Sequence, residues 1–325
     1  MKISVVTTLY KSETFIEEFY RRTREALAEL GADYEMVFVN DGSPDASLAR
    51  VLEVCRSDPG VKVIDLARNF GHHPAIMVGL REAEGDYVFL IDVDLEEAPE
   101  NLVTFYHDLL KSPEADVVYG VWRRHGEPFA RRLAADAYYS AFNILSDTRL
   151  PRNLVLSRLM TRRYVDALLD SWTWGVPPAP LMASIGFEQL SRDIQRTYKG
   201  HSSYSVFRRL KILVDSVTSF SARPLQYIFI TGVAVFGLSV LLTLYAIVAY
   251  LSVGQPVYGW YSVFVSIWFI GGLAMISLGI LGLYIARIFD QVKGRPVAII
   301  RRKYDQSALQ TSLESDAGVR SGTAK

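Results

Sequence analysis

Tyr87-Val88-Phe89-Leu90-Ile91-Asp92-Val93-Asp94 is the stretch on which the fold is decided. An unbroken run of aliphatic and aromatic residues marks a strand buried on both faces, and such strands belong to parallel sheets covered by helices. An open α/β sheet presents the C-terminal ends of its strands to a ligand crevice. Asp92 and Asp94 fall at that rim, one residue apart, with Glu96 following. Carboxylate oxygens are hard donors, so Asp92, Asp94 and Glu96 form a candidate site for Mg²⁺ or Mn²⁺. Water and substrate phosphates usually complete the shell of such an ion. A solvated acidic turn would carry the same letters. The neighbouring strands favour a site.

Outward from this stretch, the same pattern repeats. Ile3–Leu9 precedes an amphipathic segment over about 14–30. Tyr34–Val39 ends at Asn40-Asp41-Gly42-Ser43, and Val61–Leu66 ends at Ala67-Arg68-Asn69-Phe70-Gly71-His72-His73. A fifth strand, Val117–Val121, leads to Arg123-Arg124, with Arg131-Arg132 beyond. Strand, loop and helix in this alternation predict βαβ units and a doubly wound α/β sheet. Tyr10, Glu13, Asp41, Arg68, Asp92 and Asp94 then gather at one crevice, where a nucleotide is expected. No Gly-x-Gly-x-x-Gly follows the first strand and no Gly-x-x-x-x-Gly-Lys-Ser/Thr occurs, so a redox dinucleotide enzyme and a P-loop ATPase are both disfavoured. A diphosphate is left to a metal on the carboxylates, helped by the arginines. His72 and His73 lack a third partner at metal spacing and read as loop packing or substrate contacts.

Lys and Arg number 35, as do Asp and Glu, so no nucleic-acid partner driven by bulk charge is expected. The charge is unevenly placed. Pro224 to Ala286 contains no Asp, Glu, Lys, Arg or His. Two membrane-spanning helices are predicted there, at about 225–251 and 262–285. Arg208, Arg209, Lys211 and Arg223 precede them, Arg287, Lys293, Arg295, Arg301, Arg302 and Lys303 follow, and the link between has no positive residue. The positive-inside rule therefore puts both ends in the cytoplasm. Val206, Phe207, Leu210, Leu213, Val214, Val217 and Phe220 face away from Arg208, Arg209 and Lys211, as in a helix lying in the membrane interface over 204–223. A second amphipathic segment from Arg131 to Leu145 reads either the same way or, in preference, as a helix packed on the sheet. The N-terminus runs directly into a strand and reads as no signal peptide. The lone Cys55 reads as a small buried hydrophobe in a reducing compartment. The expected organisation is a cytoplasmic domain over 1–203, the interfacial helix, the two spans within 224–287, and a cytoplasmic tail over 288–325 that is disordered at its end.

Ile3–Tyr10, Val39–Ser43, Arg68-Asn69-Phe70-Gly71-His72, Gly85-Asp86 and Asp92–Glu96 together resemble family 2 glycosyltransferases with the GT-A fold. Ser219-Phe220-Ser221-Ala222-Arg223-Pro224-Leu225, the two spans and Val292-Lys293-Gly294-Arg295-Pro296 extend the likeness to polyprenyl-phosphate glycosyltransferases. Dolichyl-phosphate mannose synthase and the bacterial undecaprenyl-phosphate enzymes belong to that group. The resemblance implies a GT-A-type, mostly parallel sheet with helices on both faces, interfacial helices and a C-terminal transmembrane hairpin. It implies donor contacts at Thr8, Tyr10, Glu13, Asp41, Asp92 and Val93, and metal ligation by Asp92 and Asp94 with Glu96 where the family usually has Gln. Asp94, Arg124 and Arg131 would be catalytic. Arg123, Arg124, Arg131, Arg158, Arg196 and Lys199 are the candidates for the acceptor phosphate. Departures are Thr8-Leu9-Tyr10-Lys11-Ser12 for the usual Pro-x-Tyr-Asn-Glu, Leu156-Ser157-Arg158-Leu159 for Asp-Phe-Arg-Leu, and Ser202-Ser203-Tyr204 for Ser-Lys-Tyr.

The implied reaction is metal-dependent, inverting transfer of a sugar from a nucleotide-diphosphate donor to a polyprenyl phosphate at a bacterial inner membrane. A lipid phosphate is already anionic at neutral pH and needs no general base. Two other readings stand beside it: transfer to a hydroxyl of a lipid-linked glycan in O-antigen or surface-polysaccharide synthesis, and a membrane scaffold with an inactive transferase domain. A homo-oligomer fits the family, although no coiled-coil heptad supports one.

Overall fold

The computed structural model describes residues 1–122, 140, 144–145, 153–173, 176–195, 221–253, 259–293, 296 and 298–306. The chain divides into two compact units. One comprises Met1–Ala134, Leu150–Tyr204 and Arg295–Lys325; the other comprises Ala135–Arg149 and Ser205–Gly294.

In the first unit β1 (Lys2–Leu9), α1 (Ile16–Leu30), β2 (Asp33–Asn40), α2 (Ser47–Ser57), β3 (Val61–Leu66), α3 (His72–Glu82), β4 (Tyr87–Leu90), α4 (Asn101–Lys111) and β5 (Val117–Trp122) alternate. Then come β6 (Leu154–Thr161), α5 (Arg162–Ser171), α6 (Pro178–Ser184) and β7 (Gln189–Ile194), and finally β8 (Ile300–Tyr304). All eight strands form one sheet in the order β7-β5-β6-β4-β1-β2-β3-β8. β1 is parallel to β2 and β4, β2 to β3, and β5 to β7; β6 is antiparallel to its neighbours β4 and β5, and β8 to β3. This is the expected mostly parallel, doubly wound sheet.

Side chains alternate between the two faces of a strand. Ile3, Val5, Leu9, Met36, Phe38, Val61, Val63 and Phe89 share one face and join Ile16, Phe19 and Leu27 of α1 and Leu102 and Phe105 of α4 in the core. Phe19 meets Phe38 edge-on at 6.0 Å, and Phe105 meets Phe89 at 6.2 Å. α3 covers the opposite face, seated so close that a Cβ on Gly79 would lie 2.5 Å from Val6 Cγ1. The register sets Leu9 beside Asn40 and Val6 beside Leu90, so the C-terminal ends of β1, β2 and β4 lie side by side.

β8 was not anticipated. Its residues fall in the segment read as a tail, and Arg301, Arg302 and Lys303 look like a solvated basic run. An edge strand is paired on one side only and carries charge readily on its exposed side chains, which hides it from any hydrophobic pattern.

In the second unit α7 (Arg223–Val253) and α8 (Trp260–Val292) occupy the two predicted spans. Within α8, Phe269–Val292 is long and apolar enough to cross a membrane, and none of its most apolar window is buried. Tyr284 Oη donates to Ser221 O at 2.6 Å, and Arg223 Nη1 to Ile144 O at 3.1 Å. The amphipathic segment 204–220, most of that at 131–145, and the tail from 307 lie outside the described residues.

Candidate active site

The crevice rim is built first by the loops after β2 and β3. Asp41 is 2% exposed. Its Oδ1 accepts the Phe70 N–H at 2.7 Å and its Oδ2 the Gly71 N–H at 3.0 Å. Burial pushes the Asp41 carboxyl up, against the pull of those two N–H groups and of Arg68. Gly42 sits at φ +58°, and a Cβ there would lie 2.5 Å from Asn69 N, so the two loops meet with no room for a side chain. The Arg68 guanidinium lies over the Phe70 ring, 4.0 Å from its centroid.

The loop after β1 is pinned to the start of α2. Lys11 N–H donates to Ser43 Oγ at 2.8 Å and Ser12 N–H to Ser47 Oγ at 2.9 Å. Glu13 belongs to this clasp: its Oε2 accepts the Ala46 N–H at 2.9 Å. The donor contact expected of Glu13 would have to be made alongside this hydrogen bond. A backbone N–H in the first turn of a helix takes a nearby carboxylate in preference to leaving it in solvent. Tyr10, also expected at the donor, stands exposed beside it.

Asp92, Val93 and Asp94 follow β4. The Val93 side chain is buried in the core, so only its backbone is available to a donor. Asp94 Oδ1 accepts the Glu96 N–H at 3.0 Å, an Asx-turn closed over Leu95 at φ +59°. Beyond it, buried Glu97 accepts the N–H groups of Leu156 at 3.2 Å and Ser157 at 2.7 Å on β6. Among the described residues no group of three His, Cys, Asp or Glu could hold a metal. The expected trio of Asp92, Asp94 and Glu96 is not such a group in this structure. Asp92 and Asp94 suit a hard divalent ion whose remaining ligands arrive with a diphosphate.

His72, at the start of α3, is a member of the site that spacing alone did not assign. Its Nδ1 lies 3.0 Å from Thr8 Oγ1 and its Nε2 3.5 Å from Asp92 Oδ1. Burial, with His73 adding to it and Asp94 opposing, pushes the ring down to about 4. Although 45% of the side chain is exposed, the ring is neutral at pH 7. A neutral ring protonated on Nε2 accepts from Thr8 and donates toward Asp92. The signal in the sequence was the position of His72 directly after the third strand's loop.

Arg158 does not face an acceptor. It is 2% exposed, and its Nε and Nη2 donate to the carbonyls of Leu156 at 3.1 Å and Val155 at 3.3 Å. Burial pushes its guanidinium down. β6 lies inside the sheet, between β5 and β4, and its long side chain folds back on its own strand to satisfy its donors. Arg123, Arg124, Arg131, Arg196 and Lys199 lie outside the described residues.

A doubly wound sheet with an Asp-x-Asp pair at the end of its fourth strand defines a class, and comparison with known proteins agrees. Residues 4–167 match Glycosyl transferase family 2. The chain belongs to this family, is a glycosyltransferase, and has a GT-A-type fold. A chain from Mycobacterium tuberculosis described among glycosyltransferases is 43% identical over 320 residues, covering 96% of this chain and 93% of the relative. A bactoprenol glucosyl transferase of prophage SfII in Shigella flexneri is 31% identical over 312 residues, covering 94% and 99%. Among solved structures, a mannosyltransferase from Pyrobaculum calidifontis in complex with GDP-Man and Mn²⁺ aligns over 67% of this chain and 63% of its own, at 19% identity and a TM-score of 0.47.

Proposed function

We propose that this glycosyltransferase moves a sugar from a nucleotide-diphosphate donor to a polyprenyl phosphate, with inversion at the anomeric carbon. The observation that carries this reading is the full-length similarity to a bactoprenol glucosyl transferase, which includes the apolar α7–α8 region as well as the sheet. The nucleoside lies against the loop of Asp41, and Asp92 with Asp94 faces the diphosphate. Mg²⁺ or Mn²⁺ held by these two carboxylates would neutralise charge on the departing nucleotide diphosphate. A lipid phosphate oxygen attacks the anomeric carbon from the side opposite the leaving group. The bond to the diphosphate breaks, a new C–O–P linkage forms, and no proton has to move. The second pKa of a phosphate monoester is about 6, so the nucleophile is already charged. What it needs is orientation. Arg123, Arg124, Arg131, Arg196 and Lys199 are proposed for that task.

The same relatives and the apolar α8 support a membrane location. α7 and α8 are read as two crossings, with the sheet and the C-terminus in the cytoplasm. Connectivity supports the even number: the chain leaves the sheet after β7 and rejoins it at β8.

The test is incorporation of labelled sugar into lipid by the full chain and by Asp94→Asn. Loss of at least about a hundredfold in the variant is expected, together with loss on chelation and recovery with Mn²⁺ or Mg²⁺. Undiminished transfer by Asp94→Asn would remove the site. A product stable to mild acid would point to a glycan hydroxyl as acceptor in place of the phosphate.

A further inference from the structure

We infer that Arg301, on the strand that follows the membrane segment, is a positioning residue for the nucleoside side of the donor crevice. The inference rests on the reading of the Asp41 loop as nucleoside-binding and deepens it: donor affinity would depend on residues far along the chain, beyond α8.

The observation begins with a register shift. β8 pairs Leu66 with Ile300 and Asp65 with Arg302, leaving Arg301 as an extra residue between them. A bulge of this kind bends its strand and re-aims the side chain at the inserted position. Here the guanidinium of Arg301 comes to the end of β3. Its Nη2 donates to Ala67 O at 2.6 Å, and its Nη1 lies 3.4 Å from Asp65 Oδ2. Ala67 N–H donates in turn to Ile299 O at 2.8 Å, so the β3 end is held from both sides.

Asp65 is buried and carries the contact inward. Its Oδ1 accepts Asn40 Nδ2 at 2.7 Å, and Asn40 Oδ1 accepts the Ser43 N–H at 3.3 Å. Asn40 and Ser43 bracket Asp41 and Gly42. Gly42 packs on Arg68 and Asn69 without space for a Cβ, and Asp41 holds Phe70 and Gly71 by their N–H groups. Arg301 thus braces both loops that form this part of the rim, one directly through Ala67 and the other through Asp65 and Asn40. Without it, the buried Asp65 carboxylate would keep Asn40 as a partner but lose its cation, and such a group recruits water or shifts its neighbours. Arg302 pairs with Asp65 through the ladder, and its guanidinium lies over the Tyr304 ring at 5.1 Å.

The experiment uses the full chain in detergent with MnCl₂, and UDP, GDP and dTDP as probes, measured by calorimetry for wild type, Arg301→Ala, Arg301→Lys, Arg302→Ala and Asp41→Asn. The expected result is binding weakened about tenfold in Arg301→Ala, which loses one hydrogen bond to the Ala67 carbonyl and the charge facing Asp65. Arg301→Lys should recover part of it and Arg302→Ala should match wild type. In turnover, the loss should appear in the donor KM with kcat retained at saturation. Weakened binding in Asp41→Asn with wild-type binding in Arg301→Ala would overturn the inference and leave the crevice reading intact. Wild-type binding in Asp41→Asn would overturn the crevice reading and this inference with it. A fall in kcat at constant KM, or a lowered melting temperature with unchanged affinity, would also overturn it. Where Arg301→Ala does not fold, Arg301→Gln, which removes the charge, supplies the same comparison, and wild-type affinity in that variant refutes the brace.

Discussion

His72 joins two strands' worth of site. It lies 3.0 Å from Thr8 Oγ1 at the end of β1 and 3.5 Å from Asp92 Oδ1 after β4. Groups that hydrogen-bond a metal-ligating carboxylate orient it and tune its affinity, typically by 10- to 100-fold. His72→Ala should therefore raise the Mn²⁺ concentration for half-maximal nucleotide binding by about tenfold, while Thr8→Ala gives a smaller shift in the same direction. A metal titration followed by calorimetry reads this apart from turnover. An unchanged metal requirement would reduce His72 to loop packing. The acidic run is a second lesson at this scale. Asp92, Asp94, Glu96 and Glu97 look alike in the sequence, yet Glu97 ends buried against β6 and Asp94 closes a turn. Asp94 and Glu97 take different roles because each goes to a different backbone N–H, one in its own turn and the other on β6.

Among the elements, the parallel strands are tied at the end opposite the crevice. Lys2 on β1 and Lys62 on β3 reach Glu35 on β2 at 3.1 and 2.9 Å, and Ser4 and the Glu84 N–H donate to it as well. Burial alone would raise the Glu35 carboxyl; these partners outweigh it and hold it at about 2, against an ordinary 4.5. The folded value is the lower one, so Glu35 contributes its full stability above pH 4.5. That contribution is lost as the pH falls from there toward 2. It is on the order of 3 kcal/mol. Denaturant melts of the full chain should show the wild type weakening through that window and Glu35→Gln starting lower but changing less. Parallel slopes would refute the assignment. Nucleotide affinity should be the same in both, because the cluster lies at the far end of the strands.

For the whole molecule, the strand order carries the main consequence. The segment between β7 and β8 leaves one sheet and returns to it, which under the proposed topology gives two crossings. Cys55 is buried and its thiol is pushed up to about 11, first by that burial, so the natural chain offers no reactive thiol among the described residues. Ser252→Cys, at the end of α7, should react with a membrane-impermeant maleimide on intact cells. Asp305→Cys, just past β8, should react only after permeabilisation. The reverse pattern, or labelling of both on intact cells, would refute the orientation. Five strands and both long helices were legible in the chain because each buries or exposes apolar surface along its own length. β6, β7 and β8 were not. β7 and β8 are edge strands with exposed polar residues, and β6 reads as a motif before it reads as a strand.

Sequence by itself determined the parallel core, the acidic pair at its rim and the charge-free stretch. Continuous burial and uninterrupted apolarity are properties of a residue and its near neighbours. Tertiary structure alone decided that Glu13 clasps α2, that Arg158 turns inward, that Glu97 is buried against β6, and that Arg301 braces a loop more than two hundred positions before it. Each of those outcomes depends on which unsatisfied donor or acceptor the strand order brings within about 3 Å, and no local pattern encodes that.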